Sequence, residues 1–143
     1  MLRFTFTQGT EDPSDDTYFL AFGDSYDTPR SQWLLDHYTE DELQSHVMQP
    51  MHHGLAGGYK PVYEAIDPDI CLWPTPQKRF EGRWDSKIEG EPDRYQWCVD
   101  PDYNQYLRDD SIKVRRHYHH SQTTVIDMKD LSVTVIPSST YND

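Results

Sequence analysis

Five of the seven histidines fall in two tight groups, His52-His53 and the set His117, His119 and His120, and these are the side chains best suited to chemistry. An H-x-H pair on a β-strand projects two imidazoles from one face, as zinc and iron sites require, and Asp127 or His52 would complete the ligand set if the fold brought either close. Arg115 shares that face with His117 and would repel a dication, so an exposed polar sheet face is the preferred account. No metal or other cofactor is expected, with His117 and His119 the only candidates. The same pair could act as general acid and base on a phosphodiester held by Lys113 and Arg115. The protein's negative field opposes that substrate.

A second constellation, Phe22-Gly23-Asp24-Ser25-Tyr26, follows an apolar run. It resembles the nucleophile block of the GDSL (SGNH) esterases, which implies Ser25 as a nucleophile at a strand end, with a neighbouring backbone N–H helping to hold the oxyanion. The resemblance is confined to these residues. The chain has neither an Asp-x-x-His pair near its C-terminus nor a Gly-x-Asn-Asp block. Under an enzymatic reading, the catalytic candidates are Ser25, His117 and His119.

The third constellation is the acidity. The chain carries 25 Asp and Glu against 13 Lys and Arg, a net charge of -12, with ten acids against Arg3 and Arg30 over residues 1–50. Such a balance argues against direct binding to nucleic acid or an anionic membrane, because phosphate contacts need Lys and Arg. It suits a basic partner. Glu11, Asp12, Asp15 and Asp16 form one cluster, Asp24 and Asp27 a second, and Glu40, Asp41 and Glu42 a third. Carboxylates arrayed in this way can occupy the basic groove of a nucleic-acid-binding protein. Small acidic inhibitors of restriction or CRISPR effectors work by this type of mimicry. The expected partner-binding residues are Asp15, Asp16, Asp24, Asp27, Glu40, Asp41 and Glu42.

These residues need elements to position them. Leu2 to Thr7 alternates as a half-buried strand, and the apolar run from Thr17 to Phe22 predicts a second strand in hairpin with it. One helical segment is expected over residues 31–48, with Thr28 or Ser31 as its cap, broken at Tyr38-Thr39. There Thr39 and Glu42 have capping-box spacing, and Pro50 ends the segment. The Gly- and Pro-rich middle predicts short strands near Val62–Ile66, Ile70–Trp73, Arg79–Trp84 and Tyr95–Val99, then a helical turn from Pro101 to Leu107. Ile112 to Ile136 reads as two or three strands with a tight turn at Lys129-Asp130. In the first of them Lys113, Arg115, His117 and His119 line one face as a basic stripe, a counterweight to the acidic remainder, whether of this chain or of a second copy.

The expected fold is therefore a single α+β domain over residues 1–143, a mainly antiparallel β-sheet of five or more strands with one helical segment near 31–48. Cys71 and Cys98 are expected as reduced, buried thiols. No apolar run approaches the roughly 20 residues that span a bilayer, and no signal-peptide core is visible, so a soluble cytoplasmic protein is expected, acting in a host cytoplasm if viral. The favoured function is a non-enzymatic acidic protein that blocks a basic protein surface by charge mimicry. The alternatives are a small hydrolase, and an assembly subunit that forms a homodimer.

Overall fold

The first two strands form where the apolar pattern puts them, although Leu2, Phe4 and Phe6, expected on a buried face, stay exposed. β1 (Leu2–Phe6) and β2 (Thr17–Ala21) pair antiparallel, with Phe4 opposite Phe19 and their rings stacked 5.8 Å apart. The computed structural model describes residues 1–24, 28–54, 59–74, 116–119 and 122–137. The β1–β2 loop closes through a 3-10 turn at Pro13–Asp15, capped by the Asp12 carboxylate, which accepts from the Ser14 N–H at 2.9 Å. That bond holds the Asp12 carboxyl below its ordinary pKa.

The helical segment breaks where its sequence says it should. α1 (Thr28–His37) and α2 (Glu40–Leu43) meet at Thr39, whose hydroxyl accepts from the Glu42 N–H at 3.3 Å. The Glu42 carboxylate accepts from the Thr39 N–H at 2.8 Å, completing a capping box. The segment does not continue to Met48. Gln44 leaves helical geometry at φ -51 and ψ 132, the Ser45 N–H donates to the Ile66 carbonyl at 3.0 Å, and the chain enters β3 (Val47–Gln49). Three residues carry too little local pattern to announce a strand. What makes β3 is tertiary, since Val47 and Met48 are buried between β2 and the next strand.

Val62–Ile66 is likewise not a strand. It lies in α3 (Lys60–Ile66), with Pro61 in the first turn, where its missing N–H costs nothing, and a left-handed Asp67 followed by Pro68 at the end. Val62, Tyr63 and Ile66 form one buried helical face while Lys60 and Glu64 stay exposed. The chain then enters β4 (Ile70–Trp73), as its apolar run predicts. Beyond it, β5 (Arg116–His119) joins the same sheet, whereas β6 (Gln122–Asp127) and β7 (Ser132–Pro137) form a separate antiparallel ribbon. Ile112–Ile136 is thus divided between two sheets. The expected strands at Arg79–Trp84 and Tyr95–Val99, the turn at Pro101–Leu107, and Cys98 lie outside the described residues.

The sheet order is β1-β2-β3-β4-β5, and of its pairings only β1 with β2 is antiparallel. This corrects the expected fold: the protein is α+β, but its main sheet is mixed and largely parallel rather than mainly antiparallel. The cause is the pair of crossovers. α1 with α2, and then α3, return the chain to the end at which the previous strand began, so β2, β3 and β4 run in one direction. Two consecutive crossovers of the same hand that step the same way along a sheet place their helices on one face, and α3 packs against both α1 and α2.

The core lies between that helical layer and the sheet. Leu20, Met48 and Cys71, neighbours in register across three strands, pack with Phe22, Leu34, Leu43, Val62, Tyr63 and Ile66. Tyr63 is fully buried, with its hydroxyl accepting from the Met51 N–H at 3.0 Å. Cys71 is the buried free thiol expected of it, and burial pushes its pKa well above the ordinary value. The β6–β7 ribbon touches the body through its turn, where the Met128 carbonyl accepts from the Thr17 hydroxyl and the Gln8 amide. No helix among the described residues is long and apolar enough to cross a membrane.

Candidate functional site

Strand direction sorts the candidate residues between two edges. Thr17, Val47 and Ile70 begin three of the four parallel strands and mark the amino edge; Phe22, Pro50 and Pro74 follow their ends and mark the carboxyl edge. α2 and α3 each finish a few residues before a strand begins, so Glu40, Asp41, Glu42 and Asp67 gather at the amino edge. The β1–β2 loop turns there too, bringing Asp15 and Asp16. Asp24 sits at the opposite edge. Asp27 lies outside the described residues.

At the amino edge α1, α2 and α3 enclose a groove of about 640 Å³. Its exposed carboxylates are Glu40 and Asp41 on one side and Glu64 and Asp67 on the other. Leu35, Pro61 and Ala65 supply an apolar floor above the fully buried Leu43, and Tyr38 and Gln44 complete the lining. Local sequence explains the arrangement. α2 is one turn long, so burial of Leu43 leaves the carboxylates of that turn facing water at the positive end of the peptide dipoles. The Glu42 carboxyl lies below its ordinary pKa, chiefly through its bonds to Thr39, with a smaller contribution from the Arg3 charge. On α3, Glu64 meets Lys60 at 3.6 Å, a half-exposed i,i+4 pair. No ion pair among the described residues involves Glu40, Asp41 or Asp67.

An aromatic corner adjoins the groove. Trp33 on α1 is 49% exposed and stacks on His37 at 4.1 Å, with Tyr38 edge-on to it at 6.0 Å. Large exposed aromatics beside a charged rim are the residues that anchor interfaces.

The carboxyl edge is built differently. Gly23 at φ +64 turns the chain out of β2, and after β3 the residues His52 and His53 are both left-handed, at φ 48 and 58. Two loops are tied together there. The His52 N–H donates to the Gly23 carbonyl at 2.8 Å, and His53 Nε2 lies 3.0 Å from Asp24 Oδ1. Consecutive non-glycine residues at positive φ cost roughly 1–3 kcal/mol each and concentrate at functional sites. An imidazole held by a carboxylate through Nε2 keeps Nδ1 as its acceptor when neutral. Parallel sheets commonly bind ligands at this edge, but in a crevice made where crossovers change face, and the crossovers through α1–α2 and α3 share one face.

The remaining candidates divide as follows. His117 and His119 lie on β5, in register with Cys71 and Trp73 respectively. Ser25, Lys113, Arg115 and His120 lie outside the described residues. Among the described residues no three His, Cys, Asp or Glu side chains are grouped to hold a metal ion. Glu64 and Asp67 are not among the residues expected from sequence, where their segment patterns as a strand and a turn, although Pro61 and the Lys60–Glu64 spacing signal a helix. Nor does the sequence mark Tyr38, which reads as a helix break, or the pairing of Asp24 with His53, which depends on two loops meeting. Comparison of the chain with protein-family models, with curated proteins and with solved structures finds no match.

Proposed function

We propose that this is a non-enzymatic acidic interaction protein that engages a protein with a basic surface through the α1–α2–α3 groove, and that it competes there with nucleic acid by charge mimicry. The observation that carries this reading is the placement of Glu40, Asp41, Glu64 and Asp67 around an apolar floor. Exposed carboxylates steer a basic partner, and the floor supplies the apolar burial that charge alone does not give. Asp15 and Asp16, at the same edge, extend the negative field beyond the groove. Antirestriction and anti-CRISPR inhibitors are the type of protein meant.

The test is competition: a basic DNA-binding protein, fluorescent duplex DNA and increasing amounts of this protein. Direct binding of the two proteins, measured without DNA, should weaken steeply as salt rises, because the attraction is between exposed charges. At fixed salt the double variant Glu40→Lys/Asp41→Lys should release little or no DNA. Salt-independent binding, or full activity of that variant, would remove the proposal.

A second reading rests on the Asp24–His53 pair, which has the form of a carboxylate-oriented general base for a small hydrolase. Turnover of an aryl ester that is lost in His53→Gln would support it; an unmutated protein without turnover ends it.

A further inference from the structure

We infer that the groove reads arginine, with the Tyr38 ring and the Glu40 and Asp41 carboxylates receiving a guanidinium from the basic partner, and with Lys60 as a built-in competitor at the far wall. The inference rests on the binding mode proposed above and names the side chain that this mode selects. Tyr38 is 37% exposed, lines the groove, and immediately precedes the capped turn that presents Glu40 and Asp41. A planar cation satisfies both partners at once, because guanidinium stacks on an aromatic face and meets a carboxylate through paired N–H donors. An ammonium does the second as a point charge and the first less well. The apolar floor of Leu35, Pro61 and Ala65 suits the methylene stem of such a side chain.

The protein already contains the aromatic half of this recognition once: Arg3 lies over the Tyr18 ring, 3.8 Å from its centroid. Glu42, the third carboxylate of the α2 turn, is taken up by the Thr39 cap, which leaves Glu40 and Asp41 to the groove in which Tyr38 stands. The volume of about 640 Å³ falls among pockets that hold a small ligand, which corresponds to a few residues of a peptide. At the opposite wall Lys60 holds Glu64 at 3.6 Å, and both side chains are about half exposed. An incoming cation must share Glu64 with it.

The experiment compares two capped six-residue peptides, one with two arginines and one with two lysines at the same positions, by fluorescence anisotropy on the full chain. The arginine peptide should bind roughly two- to fivefold tighter, the range that one exposed cation–π contact supplies. Tyr38→Leu should abolish that preference while both peptides still bind in a salt-dependent way, and Tyr38→Phe should retain it. Lys60→Gln should tighten both peptides. Equal affinity of the two peptides for the unmutated protein, or a preference that survives Tyr38→Leu, overturns the arginine reading and leaves the basic-partner proposal standing. Binding of neither peptide overturns both. Circular dichroism of Tyr38→Leu separates lost recognition from lost fold.

Discussion

The two edges of one parallel sheet have been used in opposite ways. At the amino edge, Glu40 and Asp41 on the capped α2 turn and Glu64 and Asp67 from α3 stand exposed around an apolar floor, with Glu64 facing Lys60 and Asp67 left-handed at φ 45. At the carboxyl edge, one carboxylate is already matched to a histidine, and the backbone that carries the histidine is left-handed at two consecutive residues. Among the described residues Glu40, Asp41 and Asp67 at the amino edge take part in no ion pair, whereas Asp24 at the carboxyl edge is matched to His53 and ties two loops together. That contrast, rather than total acidity, is the reason the groove is the proposed binding surface.

The comparison breaks most readily at Leu43, the fully buried residue that orients the α2 turn. Leu43→Ala should cost about 2–5 kcal/mol in urea unfolding and weaken partner binding with it. A variant that loses the stability but keeps full binding would show that α2 does not position the acids. Next in size is Tyr63→Phe, which removes the acceptor for the buried Met51 N–H just ahead of His52 and His53. The expected loss is about 1–3 kcal/mol, with the carboxyl edge disturbed and groove binding unchanged.

Thr39→Ala removes the capping box and should destabilise the protein by about 1 kcal/mol. Its pH dependence sharpens the result. Bonding to Thr39 depresses the Glu42 carboxyl in the folded state, so the stability it contributes is present above the ordinary carboxylate range and is lost as pH falls through the depressed value. The difference between unmutated and Thr39→Ala protein should therefore shrink on acidification. The smallest effect is expected at His53→Gly, which relieves a left-handed residue while breaking an exposed pair. Strain relief of about 1 kcal/mol against an exposed pair worth about 0–1 kcal/mol predicts an unchanged or slightly raised thermal midpoint. A clear drop would mean that the carboxyl edge is organised by the pair itself.

What was legible in the sequence was local. β1, β2 and β4 announce themselves by apolar pattern, Thr39-Glu40-Asp41-Glu42 by its capping box, and the β6–β7 turn by Lys129-Asp130, where the Asp127 carboxylate accepts from the Lys129 N–H at 2.9 Å. What was not legible depends on partners distant in sequence. Val47-Met48-Gln49 is a strand because β2 and β4 flank it, and the sheet is mostly parallel because two helical crossovers intervene, one of which had been read as a strand. The acidic residues could be named from composition, but their division between the edges required strand direction. Asp24 and Glu40 look alike in sequence and lie at opposite ends of the sheet.

The order of the strands bears on how the chain assembles. From β1 to β4 each strand hydrogen-bonds to the one made immediately before it, so no pairing waits for a distant segment and each loop to be closed is short. During synthesis, every new strand up to β4 finds its template already outside the ribosome. β5 alone among the sheet's strands must search, since 42 residues separate Trp73 from Arg116. Among the described residues, those that line the acidic groove all precede that search in the chain, the last of them being Asp67.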